Sequence, residues 1–269
     1  MKDKRVLCVS SEVVPYLPET EMAKLSFDSA RMVHSKGGQT RIFMPRFGLI
    51  NERRHQLHEV IRLSGMNMII NDMDMPLIIK VASIPKERMQ VYFIDNDEYF
   101  KRKATFTDDK GNLFDDNDER MIFFAKGIVE TVKKLNWAPD IIHVHGWMAS
   151  LLPIYLKEYY KDDALFMNSK IVTSLYNNNF EGTLNQELIN KVSFDNIEEA
   201  KLSSIKEPIH ANLLKIAIEN SDAIIVASED ISEDLIDYAK SLDKPVLDFC
   251  QIDEFQEAYL NFYETEVLK

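Results

Sequence analysis

His143-Val144-His145-Gly146-Trp147 is the densest run of chemically capable side chains in the sequence. Imidazoles move protons or ligate metals, an indole offers a flat apolar face, and glycine lets a ligand approach the backbone. The apolar pair Ile141-Ile142 precedes the run and an apolar stretch from Met148 to about Tyr160 follows it, so it reads as a buried strand, Ile141 to Val144, a tight turn and a helix. Open α/β sheets bind ligands at such strand ends. His143 and His145, two apart on a strand, project to one side as a metal pair would. No third ligand of suitable type is evident, and no metal or other cofactor is expected.

Other clusters point to less chemistry. Asp108-Asp109, Gly111 and Asp115 to Glu119 suggest a calcium loop, but the spacing is wrong and no glutamate closes it; a solvated loop running into a helix is expected. Met66, Met68, Met73 and Met75 suit packing of an edge better than a pliable partner surface. The basic run Arg53, Arg54, His55 and His58 reads as a solvated face that could also meet a phosphate or an acidic patch. No Gly-rich phosphate loop and no nucleophile–histidine pair can be read from spacing.

The elements that must position the run are α/β in texture. Arg5 to Ser10 is a continuous apolar run, as in a strand buried on both faces. A helix from about Glu19 to Ser35 carries Met22, Ala23, Phe27, Ala30 and Val33 at helical spacing and ends at Gly37-Gly38. The strand Arg41 to Met44 follows, which makes a βαβ unit and predicts a parallel sheet. From about Gln56 to Ile94 short β-branched runs alternate with turn residues, predicting a β-rich insertion with antiparallel pairs. Lys101 to Asn117 reads as a mobile loop, and Asp118 to Leu135 as a helix with an acidic start and a basic end. Strands over Ile171–Ser174 and Ala223–Ala227 flank a helix near Ile209–Glu219; Ser228 suits the cap of the next helix. The aromatic spacing from Asp253 to Leu268 predicts a final docked helix. The expected architecture is one Rossmann-like, doubly wound, mostly parallel domain over 1–269 with that insertion.

Composition narrows the partners. The net charge of −12 speaks against nucleic acid and anionic membranes. No apolar run approaches the roughly 18 residues of a membrane span, and Met1 to Arg5 runs straight into a strand with no signal-peptide core. Two well-separated cysteines, Cys8 and Cys250, read as reduced thiols of a cytoplasmic protein.

Five stretches in order carry a family likeness: Val9 to Tyr16 (VSSEVVPY), Met44-Pro45-Arg46-Phe47-Gly48, Val91 to Phe100 (VYFIDNDEYF), Pro139 to Trp147, and Asn212-Leu213-Leu214-Lys215 with the strand after Ser221-Asp222. The chain resembles the N-terminal, acceptor-side domain of bacterial glycogen and starch synthases. These are retaining glycosyltransferases of the GT-B type, with two Rossmann-like domains, that move glucose from a sugar nucleotide to an α-glucan. The resemblance implies a cleft at the strand ends, with His145, Gly146, Trp147, Tyr176 and Asn177 as candidate substrate-binding residues and Trp147 and Tyr176 stacking on sugar rings.

The donor side of the pattern is degenerate. The family's lysine, threonine and two glycines, which open a helix towards the nucleotide phosphates, align with Pro18-Glu19-Thr20-Glu21. Two carboxylates stand where a diphosphate would sit. The family's His-x-His-Asp-Trp-His becomes His143-x-His145-Gly146-Trp147-Met148, and its Thr-Ile-His-Asn becomes Ser174-Leu175-Tyr176-Asn177. No catalytic residue is assigned. The family's second Rossmann domain has no counterpart before Lys269, so if the chain is complete, autonomous glucosyl transfer is not expected. Two functions follow. One is a binding or regulatory module, a pseudoenzyme, for an α-glucan, a metabolite or another protein. The other is the acceptor half of a split synthase that uses ADP-glucose or UDP-glucose. The exposed cleft face could meet a protein partner or pair two copies.

Overall fold

The computed structural model describes residues 1–251 and 253–269. Its strands are β1 (Arg5–Ser10), β2 (Gln39–Pro45), β3 (His58–Glu59), β4 (Met66–Ile70), β5 (Met73–Ser83), β6 (Gln90–Asp95), β7 (Ile141–His145), β8 (Lys170–Leu175), β9 (Ala223–Val226) and β10 (Val246–Leu247). They form one sheet in the order β10-β9-β8-β7-β1-β2-β6-β5-β3, with β4 beside β5. From β10 to β6 every pairing is parallel; β5 pairs antiparallel with β6, β3 and β4. The fold is therefore the expected mixed α/β open sheet. β6 falls within the expected insertion, yet it is a core parallel strand, because Val91 to Ile94 are buried on both faces beside β2. The antiparallel additions stop at β5.

The helices are α1 (Glu21–Ser35), α2 (Glu52–His55), α3 (Asp97–Phe100), α4 (Asn117–Lys134), α5 (Leu152–Ile154), α6 (Leu188–Ser193), α7 (His210–Asn220), α8 (Glu233–Ser241) and α9 (Phe255–Phe262). Alternation along β7 sets the layers. His143 faces Tyr263, just beyond α9, whereas Ile142 lines a hollow with Leu156 and Tyr160. Helical segments thus cover both faces, which is why β1 and β7 are buried nearly throughout rather than alternating between buried and exposed. Gly37, at φ +83°, ends α1: its N–H and that of Gly38 return to the carbonyls of His34 and Val33.

Three local expectations differ from the structure. The segment after the motif is not one helix. It is a 3-10 turn (Trp147–Ala149), α5, and a π turn (Tyr155–Tyr159), with Pro153 at the start of α5 supplying no N–H. The span Lys101 to Asn117 is pinned rather than loose. The Arg102 guanidinium grips the Asp116 carboxylate, and the Asn117 amide donates to the Phe106 carbonyl at 2.9 Å. Ser228 does not cap α8, whose N-cap position is Ser232.

A buried polar knot ties the β4–β5 hairpin to the body. The Lys126 ammonium meets Asp195 at 2.6 Å and the Ile69 carbonyl at 2.8 Å, while the Tyr155 hydroxyl donates to Asp195 at 2.7 Å. With both charges buried, each is held only because the other is present.

Candidate functional site

β1 runs on to β2 on one side, and β7 later returns to its other side, so the topological switch point lies between β1 and β7. The carboxyl ends of these strands carry the two degenerate motifs, Ser11 to Glu21 and Gly146-Trp147. The structure brings both to one end of the sheet.

The two histidines are wholly buried. His143 places Nε2 2.7 Å from the Ser174 hydroxyl and Nδ1 2.6 Å from the Tyr263 hydroxyl. His145 Nδ1 lies 2.8 Å from the Tyr176 hydroxyl, and the imidazole rings stand 3.8 Å apart. Burial pushes the His143 imidazole down to about 3, and burial together with its neighbour His143 holds His145 far below its ordinary value. Both are neutral. Among the described residues no group of three His, Cys, Asp or Glu side chains gathers as a metal site. Cys8 and Cys250 are free thiols, and burial raises Cys8 to about 12.

Trp147 and Tyr176 show no ring face to solvent, being 2% and 1% exposed. Phe106 packs on Trp147 at 4.7 Å and Phe180 at 4.9 Å, filling the ring's surroundings from two loops. Tyr176 and Phe180 form the floor of a hollow at this end of the sheet, and His143, His145 and Trp147 are buried without lining it. Gly146 (φ +75°) sits against α1: a Cβ there would come 2.5 Å from Met22 Sδ and 3.1 Å from the Asn178 amide nitrogen. The space beside the backbone at this family aspartate position is taken by Met22.

Of the expected residues, Asn177 is open to solvent, as are Pro18, Glu19, Thr20 and Glu21. Thr20 is the N-cap of α1. Its Oγ1 accepts from the Ala23 N–H at 3.0 Å, and its hydroxyl donates to the Glu12 carboxylate at 2.6 Å. One donor of the first turn, the Ala23 N–H, is thus already used, and Glu12, Glu19 and Glu21 surround the helix start, the opposite of an anion cradle. The Glu21 carboxylate accepts from the Ser228 hydroxyl.

Two adjoining hollows lie above this floor. One, of about 420 Å³, is lined by Glu21, Asn177, Ser228, Glu229, Asp230, Phe249, Gln251, Phe255 and Tyr259 among others. The second, of about 380 Å³, shares Asn177 and Asp230 and adds Tyr176, Phe180 and His210, whose imidazole burial lowers to about 4. Among the described residues neither has a lysine or arginine in its lining. Carboxylates and amides beside half-buried aromatics accept hydrogen bonds from hydroxyls and offer apolar faces, while they repel a diphosphate. Sequence reasoning missed Ser228 to Asp230, Phe249 and Gln251 because loops bring them here. It also missed the contact of Tyr263 with His143, although the aromatic spacing of the final helix was the signal for it.

A family model described as the starch synthase catalytic domain matches residues 5–245. The chain belongs to that family. It is 35% identical to a glycogen synthase of Chlorobium luteolum over 229 residues, 85% of this chain and 46% of that protein. A glycogen synthase of Chlorobaculum tepidum is 32% identical over 234 residues, 87% of this chain and 47% of the relative. The catalytic domain of starch synthase IV from Arabidopsis thaliana, solved with ADP and acarbose, superposes with a TM-score of 0.75 at 16% identity, over 95% of this chain and 53% of that one. This likeness establishes the fold alone. The chain spans about half the length of the curated relatives it matches. No helix among the described residues is long and apolar enough to cross a membrane.

Proposed function

We propose that residues 1–269 act as one acceptor-side glycogen synthase-like domain that binds a neutral α-glucan at the carboxyl end of its sheet and does not bind a sugar nucleotide there. In this account the domain is a binding or regulatory module rather than an autonomous glucosyltransferase, working in the cytoplasm. The observation that carries it is the charge of the cleft. Three carboxylates, Glu21, Glu229 and Asp230, line a hollow that has no lysine or arginine among the described residues, beside a helix start whose Ala23 N–H is already capped by Thr20.

The fit to a glucan follows from the same residues. Sugar hydroxyls donate to Glu229, Asp230 and Asn177, and the half-buried Phe249 replaces Trp147 as the ring that meets a sugar face. His145, Gly146, Trp147 and Tyr176 hold the floor beneath. Pairing of two copies through this face gains no support from apolar area: the large exposed apolar side chains Leu49, Ile61, Ile69, Met73, Tyr159, Met167 and Phe194 line neither hollow.

The test is a site-resolved titration. Maltooligosaccharides should shift the side-chain amides of Asn177 and Gln251 and the backbone amides of Ser228 to Asp230 in nitrogen–proton spectra. ADP-glucose and UDP-glucose should leave them in place. Sugar-nucleotide binding at those amides with micromolar affinity would overturn the proposal and favour the acceptor half of a split synthase.

A further inference from the structure

A third hollow, of about 590 Å³, lies at the opposite end of the sheet, against the first residues of β2 and β6, the end of β5 and the approach to β7. Its lining includes Arg41, Lys86, Arg88 and His34 and no carboxylate. In a chain with 44 acidic and 32 basic residues this runs against composition. None of the three permanent cations pairs with a carboxylate among the described residues. Glu87, the one acid of the Lys86–Arg88 turn, does not line the hollow and lies within electrostatic reach of Asp28 on α1.

Arg41 anchors the site. Its guanidinium lies over Trp137, 4.7 Å from the ring centroid, and 5.6 Å from the centroid of Tyr92. Two aromatic rings therefore fix it without neutralising it. Its Nη1 is buried with no hydrogen-bond partner. Buried polar atoms of this kind are costly unless something fills them. The Trp137 indole donates to Gln39 at 3.3 Å, and Gln90 stands on the same rim. Lys86 and Arg88, both exposed and both at positive φ, close the open side.

We propose that this hollow binds a small phosphate monoester. The phosphate accepts from Arg41 inside and from Lys86 and Arg88 at the rim, and a hydroxyl-bearing remainder meets Gln39 and Gln90. The site is separate from the glucan cleft and stands or falls independently of it.

The chain's two tryptophans give one reporter at each end, Trp137 here and Trp147 under the cleft. Nitrogen-15-labelled protein is titrated with ribose 5-phosphate, inorganic phosphate and ribose while both indole N–H resonances are followed. The expected result is a saturating Trp137 shift with ribose 5-phosphate, a weaker one with inorganic phosphate, none with ribose, and a still Trp147. In the K86Q/R88Q variant, which changes only exposed side chains, the affinity should fall about tenfold or more with unchanged melting temperature. No Trp137 shift up to about 20 mM ester, or equal affinity in K86Q/R88Q, would overturn the site. Inorganic phosphate binding as tightly as the ester would overturn the monoester assignment.

Discussion

The two ends of one sheet have opposite chemistry. At the carboxyl end, Glu21, Glu229 and Asp230 line the hollows; beneath, His143 pairs with Ser174 and Tyr263, and His145 pairs with Tyr176 through Nδ1 while its Nε2 is buried without a partner. At the amino end, Arg41, Lys86 and Arg88 line a hollow with no carboxylate in its lining among the described residues. Open α/β sheets ordinarily place anions at the carboxyl end, where helix N-termini point. Here the N-terminus of α1 is acidic and capped, and the cationic hollow is at the other end. Fold and family therefore do not by themselves fix which end of this sheet favours an anion; individual side chains do.

The largest expected effect tests the carboxyl end through its buried imidazoles. Their folded pKa values lie below the ordinary value of 6.5, so between pH 6.5 and about 3 for His143 the unfolded chain binds more protons. Stability should accordingly fall as pH drops below 6.5, by about 1.4 kcal/mol per pH unit for each imidazole. Denaturant midpoints at pH 7 and 4.5 should show this loss, and H143Q should have a shallower slope than the parent. Equal slopes would mean that other groups set the acid sensitivity.

The pairing of the cleft floor is tested next. G146D places a side chain at φ +75° against Met22 and should cost about 1–3 kcal/mol in urea unfolding, without restoring nucleotide binding. Co-substitution with M22A should recover part of that loss, since it removes the sulfur in the way.

Much of the fold was legible because buried parallel strands announce themselves. Val6 to Val9 and Ala223 to Val226 are apolar without alternation, Ile141 to Val144 is broken only by His143, and each is an interior strand. The cleft was legible only as a location. His145 and Trp147 marked it, but their burial depends on Tyr176, Phe106 and Phe180, whose approach is set by loop paths that no period encodes. Ser228 looked like a cap and instead donates to Glu21, far away in sequence. The basic hollow left no trace, because Arg41 and the Lys86–Arg88 turn come from separate segments. The contiguous basic run was Arg53, Arg54, His55 and His58, and it does not line that hollow. Periodicity reports what one element buries; a site assembled from three elements has no period.

Smaller effects sharpen the contrast in charge. The E21Q/E229Q/D230N variant should weaken maltooligosaccharide binding several-fold and admit ADP-glucose to the cleft at millimolar concentration, leaving the Trp137 response unchanged. A variant cleft that still rejects ADP-glucose would mean that shape rather than charge excludes it. Smallest of all, raising salt should weaken the phosphate ester at Trp137 and hardly alter the glucan, since only the former is an ion-pairing event.

The most direct measurement is a pair of nitrogen–proton titrations of the whole chain, one with a maltooligosaccharide and one with ADP-glucose, read at Asn177, Gln251 and Ser228 to Asp230. The account predicts that the glucan moves these resonances and that ADP-glucose does not. Saturable ADP-glucose shifts at these positions, with none from the glucan, would contradict it.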